Sequence, residues 1–248
     1  MTKREVMGRY KGSVFGLVWS FFNPLLMLTV YTFVFSVVFK ARWNTGIDSK
    51  TGFALALFVG MIVHGLVAES ISRAPSLITS NVNYVKKVVF PLEILPWTVM
   101  GAALFHTTIN LFVWSIFYFV INFSLHWTIV LLPLVFFPLV LFSMGTSWVL
   151  ASLGVYFRDV NQLISLVVTL LLFLSPVFYP ISSIPEKYQP LLYMNPLTLI
   201  IEQTRGILIS GQIPDWKPWF LSVVLSVIVA CLGFAWFQKT RKGFADVL

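Results

Sequence analysis

The sequence predicts an all-α integral membrane protein with six transmembrane helices, an N-terminal cytoplasmic interfacial helix and a re-entrant outer helical segment between spans five and six. Three observations predict it. Of 248 residues, 58% are hydrophobic and only 10% are charged, whereas a soluble domain carries about 25% charge. The charges fall in short intervals, leaving uncharged runs long enough to cross hydrocarbon, which takes about 20 helical residues. The Lys and Arg residues also alternate between rich and poor intervals, as in a chain that threads a bilayer repeatedly. A cytosolic enzyme is excluded because too little polar surface exists to cover a water-facing fold, and disorder because too much apolar surface would stay exposed.

Residues 1–22 are expected to form an amphipathic interfacial helix. Val6, Met7, Tyr10, Val14, Leu17, Val18 and Phe21 recur at helical spacing, and Lys3, Arg4, Arg9 and Lys11 supply the basic complement. Gly8, Gly12 and Gly16, spaced by four, would give one side a smooth strip that another helix can approach. Such a helix is either a membrane-surface anchor or part of a docking site. Asn23-Pro24 is expected to end it and open the first span, because a residue before proline disfavours helical geometry.

Uncharged runs cover 12–39, 51–68, 94–157, 160–185 and 218–238. The run 94–157 is too long for one helix, and the polar, aromatic stretch Asn122–Trp127 divides it. Spans are therefore expected at about 24–40, 52–72, 93–121, 128–157, 160–180 and 218–238, so that 23–248 is one six-span domain and both termini share a side. The two termini, the second loop and the fourth loop carry eleven of the 17 basic residues, which puts both ends in the cytoplasm. The net charge of +8 thus reports topology; a nucleic-acid interface would need its charges on one folded face.

Three intervals need separate explanation. The loop 75–91, bounded by prolines, is long enough for a short helix, and Leu77, Ile78, Tyr84, Val85, Val88 and Phe90 give it an apolar complement outside the bilayer. That complement serves either a partner or the membrane surface. Just before it, Glu69 and Arg73 stand four apart, in the order that favours a helical ion pair. The interval 175–218 holds seven of the 13 prolines, and the 188–201 stretch is too short to cross, so 181–215 is expected to dip into the bilayer and return. Glu202 and Arg205 are expected on the polar face of a helix opened by Pro196.

The chemistry that is missing narrows the function. Gly233 to Thr240 approaches a phosphate-binding loop, but Gln238 stands where the second glycine must be, and the intervening Phe, Ala, Trp and Phe belong to a span. His64, His106 and His126 are isolated, with neither a His-Glu-x-x-His pair nor a Gly-x-Ser-x-Gly elbow. They fit helix-to-helix hydrogen bonds, although an ionisable group in a span always invites a functional test. Glu69, Glu93 and Glu202 lie near span ends, which gives ion coupling little support. Cys231, the single cysteine, forms no disulfide framework, and the early basic residues leave no room for a cleavable signal peptide. No catalytic, cofactor-binding or metal-binding residue is expected.

Several stretches carry a resemblance: Arg9 to Trp19, Asn23 to Leu26, Tyr31 to Phe35, Asn81 to Pro96, Tyr156 to Val160, Ser175-Pro-Val-Phe-Tyr-Pro180 and Met194 to Leu197. In these residues and their order the chain resembles the membrane (permease) subunit of polysaccharide-exporting ABC transporters, most of all the O-antigen (Wzm-type) branch, with teichoic-acid and capsule exporters as near relatives. It departs from that family in its short lead before the interfacial helix. The resemblance implies a homodimer carrying two ABC ATPase subunits, which would bind all the ATP and Mg. It also implies a bacterial inner-membrane location and a lipid-linked polysaccharide, on an undecaprenyl diphosphate carrier, passing between the two permease copies. On that reading Asn81, Tyr84, Lys86, Lys87, Phe90 and Pro91 dock into the ATPase, with Arg158 and Asp159 as a second contact or a loop-closing ion pair. Tyr31, Phe35 and Phe39, at steps of four, and Phe173, Phe178 and Tyr179 are candidate channel aromatics, because ring faces stack on sugars without trapping them; lipid or a neighbouring helix is the alternative surface for each. Arg9 and Lys11 attract either a diphosphate head group or ordinary acidic lipid. Two other classes share these features: an integral membrane enzyme acting on polyprenyl-linked sugars, and an ABC exporter of a small lipid or drug.

Overall fold

A computed structural model describes residues 1–9, 13, 15–34, 50–86 and 90–248. Among them there is no strand. The helices are α1 (Thr2–Arg9), α2 (Trp19–Tyr31), α3 (Lys50–Arg73), α4 (Val82–Lys86), α5 (Leu95–Asn122), α6 (Leu132–Tyr156), α7 (Val160–Leu174), α8 (Gln189–Tyr193), α9 (Pro196–Ile209), α10 (Trp216–Thr240) and α11 (Phe244–Val247). Among the described residues, four helical stretches are long and apolar enough to cross a membrane: Thr51–Arg73, Leu92–Asn122, Trp127–Tyr156 and Trp216–Val247. Trp19–Val34 and Val160–Leu174 are shorter apolar helices.

Packing makes α3 the axis of the molecule. Its most apolar stretch is 78% buried, against 17% for that of α10, and α5, α6, α7 and α9 all lie against it. The closest pairing is between α6 and α10, where two glycines let the backbones touch. A Cβ on Gly145 would lie 2.6 Å from the Val229 carbonyl oxygen, and one on Gly233 would overlap the Gly145 carbonyl. Close approach through small residues is how helices pack where lipid removes the usual hydrophobic drive. The Gly233–Thr240 stretch is thus helix, in agreement with its reading as a span.

Two proline effects shape these helices. Pro138 sits inside α6 and has no N–H to offer the Leu134 carbonyl. The Trp219 indole of α10 donates to that carbonyl at 3.0 Å, which both satisfies it and ties the two helices. Pro196 opens α9 at a position where a missing N–H costs nothing, and the Asn195 side chain caps it by accepting from the Leu197 N–H at 3.0 Å.

The structure departs from the sequence reading at several points. Among the described residues the first helix is not continuous to residue 22: α1 covers Thr2–Arg9, Ser13 and Phe15 are not helical, and α2 starts at Trp19 and runs through Pro24. The break therefore falls between those helices and not at Asn23-Pro24, because a proline within the first two turns removes only the bond to Ser20. Gly8 and Gly16 face open space, so they make no close helix contact among the described residues. Glu69 and Arg73 do not pair: Arg73 binds Glu5 of α1, and Glu69 binds His106 of α5. In the proline-bounded loop, Leu77 and Ile78 are buried, and Tyr84, Val85 and Phe90 pack on the core from half-buried positions. The apolar complement is spent mostly on the chain itself, while Val88 lies outside the described residues.

One end of the bundle gathers α1, the loop after α3, the α6–α7 turn and α11. Glu5–Arg73 fastens α1 there, and Arg241–Glu93 at 2.9 Å fastens the segment before α11. The opposite end carries the α5–α6 and α9–α10 turns, joined where the Thr128 hydroxyl donates to the Ile207 carbonyl at 2.7 Å. There the interval between α7 and α9 is pinned at its base, since the Asn195 amide donates to the Ser175 hydroxyl at 2.9 Å. Helix α9 is buried against α3 and α6.

Candidate functional site

The terminal end holds the expected coupling segment. Past Arg73 the chain turns at Ala74–Pro75, and the Pro75 backbone presses on α6 where Gly154 has no side chain; a Cβ there would overlap it. The Asn81 amide donates to the Leu77 carbonyl at 2.9 Å and closes the turn before α4. The Tyr84 ring of α4 and the Phe90 ring beyond it stand 4.8 Å apart, which ties the helix to the exit of the loop. Pro91 is exposed at the exit. Lys86 ends α4 with its side chain outside the described residues, as Lys87 is entirely. Among the described residues of the loop, Ser80, Asn83 and Pro91 are the exposed ones.

Sequence reasoning missed the brace beneath it. The Arg241–Glu93 pair is reinforced by the Trp148 indole, which donates to the Glu93 carbonyl at 3.1 Å. The Tyr156 hydroxyl donates to the Thr240 carbonyl at 3.0 Å, and Phe244 is fully buried against Phe237. Helix α11 touches α4, so the C-terminal segment supports the loop from inside. Arg158 and Asp159 are both exposed at the α6–α7 turn, and no ion pair joins them among the described residues. Backbone bonds close that turn instead, Gln162 N–H to the Asp159 carbonyl at 3.0 Å among them.

The candidate aromatics fall into two places. Phe173 and Phe178 stack at 5.7 Å, and the Tyr179 hydroxyl donates to the Phe173 carbonyl at 3.0 Å. These three make one cluster at the far end of α7. Tyr31 stands apart, on a cleft between α2, α3 and α5. Phe35 and Phe39 lie outside the described residues, as does Lys11; Arg9 ends α1, its side chain likewise outside.

Two further polar devices replace what the sequence led one to expect. Arg205 is not on a solvent face of α9; it is 6% exposed. Its guanidinium donates to the carbonyls of Ala56 (3.0 Å), Pro176 (2.6 Å) and Val177 (3.0 Å) and pairs with Glu202 at 2.8 Å. The fork thus staples α9 to α3 and to the carbonyls that the proline turn after α7 leaves free. His106 is likewise not isolated: its Nδ1 lies 2.9 and 3.0 Å from the two Glu69 carboxylate oxygens. His64 does bridge helices, through Nε2 at 3.1 Å from the Val168 carbonyl. No spacing signal announces the Glu69–His106 pair, since its members sit on different helices 37 positions apart.

Comparison with known proteins adds the context of that geometry. The pattern of the family described as ABC-2 type transporter matches residues 1–209. The chain is 27% identical over 248 residues to the O-antigen export system permease protein RfbA of Myxococcus xanthus, covering 99% of this chain and 93% of the relative. It is 28% identical over 250 residues to the protein of the same name from Klebsiella pneumoniae, covering 100% of this chain and 93% of that one. Similarity extends at 21% identity over 246 residues to the polysialic acid transport protein KpsM of Escherichia coli, with 96% and 91% covered.

Proposed function

Since the chain belongs to the ABC-2 type transporter family, we propose that it is the permease subunit of an O-antigen-type polysaccharide exporter. The carrying observation is the end-to-end likeness to the two RfbA permeases, which leaves almost none of this chain unmatched. In this reading the chain is a transport permease and not an enzyme. Two copies form a channel in the bacterial inner membrane with both termini in the cytoplasm. Helices α2, α3, α5, α6, α7 and α10 are the six spans, and the 181–215 interval is re-entrant. Two ABC ATPase subunits bind ATP and Mg and drive a lipid-linked polysaccharide, carried on undecaprenyl diphosphate, through the channel.

Features of the fold support the reading. The loop carrying Asn81, Tyr84, Lys86, Lys87, Phe90 and Pro91 is held against the bundle from beneath, as an element that must transmit force without folding away requires. Arg158 and Asp159 stand exposed at the same end. Helix α7 exposes Gln162, Ser165 and Thr169 in an otherwise apolar helix, and the stripe leads to Phe173. The Ser165 and Thr169 hydroxyls donate to the Asn161 and Ser165 carbonyls of their own helix, but the Gln162 amide makes no hydrogen bond among the described residues and needs water or protein beside it, which suits a wall of the channel, with Phe173, Phe178 and Tyr179 at its mouth and Tyr31, Phe35 and Phe39 on the first span. Arg9 and Lys11 then attract the diphosphate head group at the entry leaflet.

The test is export in cells whose own O-antigen permease is deleted. Supplying this chain with its ATPase restores surface polysaccharide, and restoration that persists without the ATPase overturns the proposal. The double variant Lys86→Glu/Lys87→Glu is expected to keep membrane insertion and ATP hydrolysis while export falls at least about tenfold, which amounts to about 1.4 kcal/mol of coupling.

A further inference from the structure

We propose that Arg241 and Glu93 form a strut that makes the loop 75–91 move as one body with α6 and α10, so that the C-terminal segment of the chain positions the loop for coupling. That an ATPase drives the loop rests on the exporter reading; the strut itself rests on the geometry. Glu93 lies in the short turn that opens α5, just beyond Pro91, whose backbone is extended. Arg241 is the first residue after α10. Its Nη1 donates to the Glu93 Oε2 at 2.9 Å, which ties the exit of the loop to the end of a helix 148 positions away.

Both ends of the pair are seated on α6. The Trp148 indole donates to the Glu93 carbonyl at 3.1 Å, and its ring packs edge-on against Trp97 of α5 and Phe234 of α10. Glu93 is therefore held where three helices meet. The Ser152 and Thr240 hydroxyls stand 2.7 Å apart, and the Tyr156 hydroxyl holds the Thr240 carbonyl, so Arg241 leaves α10 from a backbone fixed on α6. The entry of the loop bears on the same helix, where the Pro75 backbone meets Gly154. At the α6–α7 turn no such tie exists: among the described residues neither Arg158 nor Asp159 joins an ion pair.

The pair adds direction more than stability. Its side chains are 41% and 24% exposed, and partly exposed ion pairs stabilise a fold little. The tight seams of the bundle, Gly145 against α10 and the buried Phe244, involve neither charge. What the pair supplies is a fixed distance between the loop exit and the end of α10. Without it, the extended stretch before Glu93 lets the loop swing about the start of α5, and movement imposed on the loop is absorbed there. Because coupling cannot exceed the interaction that carries it, losing a pair of this kind lowers coupling about three- to fivefold.

The test compares the unaltered chain with Arg241→Gln, Glu93→Gln, Arg241→Lys and the exchanged pair Arg241→Glu/Glu93→Arg. With the full chain in lipid nanodiscs, amide hydrogen exchange within 76–86 should quicken about threefold in either Gln variant, while exchange within 99–120 stays unchanged. In cells whose own O-antigen permease is deleted and the partner ATPase is supplied, surface polysaccharide should fall about three- to fivefold in those variants, and ATP hydrolysis by the purified complex should stay within about twofold. Arg241→Lys should retain export, since the pair rests on a single Nη1–Oε2 contact, and the exchanged pair should recover most of it. Unchanged loop exchange in monodisperse Gln variants overturns the proposal. Failure of both Gln variants to fold also overturns it, since the pair is then fold glue, as does an undiminished loss in the exchanged pair, since the residues then act singly. The two readings fail separately. Absence of export by the unaltered chain defeats the exporter reading and leaves loop exchange to judge the strut, whereas full export despite a quickened loop defeats the strut's coupling role alone.

Discussion

Trp219 shows what a single side chain does in this fold. Its indole satisfies the Leu134 carbonyl that Pro138 leaves without an N–H. Trp219→Phe is therefore expected to cost about 1 kcal/mol, and most of that cost should vanish in a Pro138→Ala background, where the helix can satisfy its own carbonyl. A double-mutant cycle on apparent unfolding temperature measures the coupling. Arg205 is the more severe case. Arg205→Met strands the Pro176 and Val177 carbonyls, while the Ala56 carbonyl keeps its helical donor within α3, and a loss of about 2–4 kcal/mol is expected. Arg205→Lys should rescue little of it, because three tetrahedral donors cannot replace a planar fork. Little of this was legible beforehand. Spacing along a helix places Glu202 and Arg205 near each other but says nothing of which face meets the protein, and Glu69 and His106 meet only once α3 and α5 are packed.

At the scale of elements, uncharged length located α3, α5, α6 and α10, because hydrocarbon thickness imposes length directly. It served less well where helices are short or bent: α2 runs through Pro24, and α7 stops at Leu174, where Ser175-Pro176 turns the chain. The glycine pattern misled for a related reason. A spacing of four marks a face but not its neighbour, and the glycines that backbone contact requires are Gly145, Gly154 and Gly233, not Gly8 or Gly16. Gly233→Leu is accordingly expected to separate α6 from α10 and reduce the yield of monodisperse protein severalfold, whereas Gly8→Leu leaves it unchanged. Size-exclusion profiles in detergent distinguish the two. The apolar loop residues 77, 78, 84, 85 and 90 were legible as needing cover. That the cover is the chain's own core, with α11 alongside, depends on contacts far apart in sequence.

For the whole molecule, composition was decisive, since a chain 10% charged has few architectures open to it. Sidedness follows from Lys and Arg placement and can be read directly. In a Cys231→Ser background, an impermeant maleimide applied to intact cells should label Glu186→Cys and spare Asn83→Cys until the membrane is opened; the reverse order would invert the topology. The neck formed by Asn195 on Ser175, with Arg205 gripping the Pro176 and Val177 carbonyls just inside it, has a broader result. Residues 182–194, mostly exposed, are tied off at their stem, so length and composition there can vary without disturbing how the helices below assemble. An epitope inserted after Glu186 should therefore be tolerated, with the bundle beneath it assembling as before.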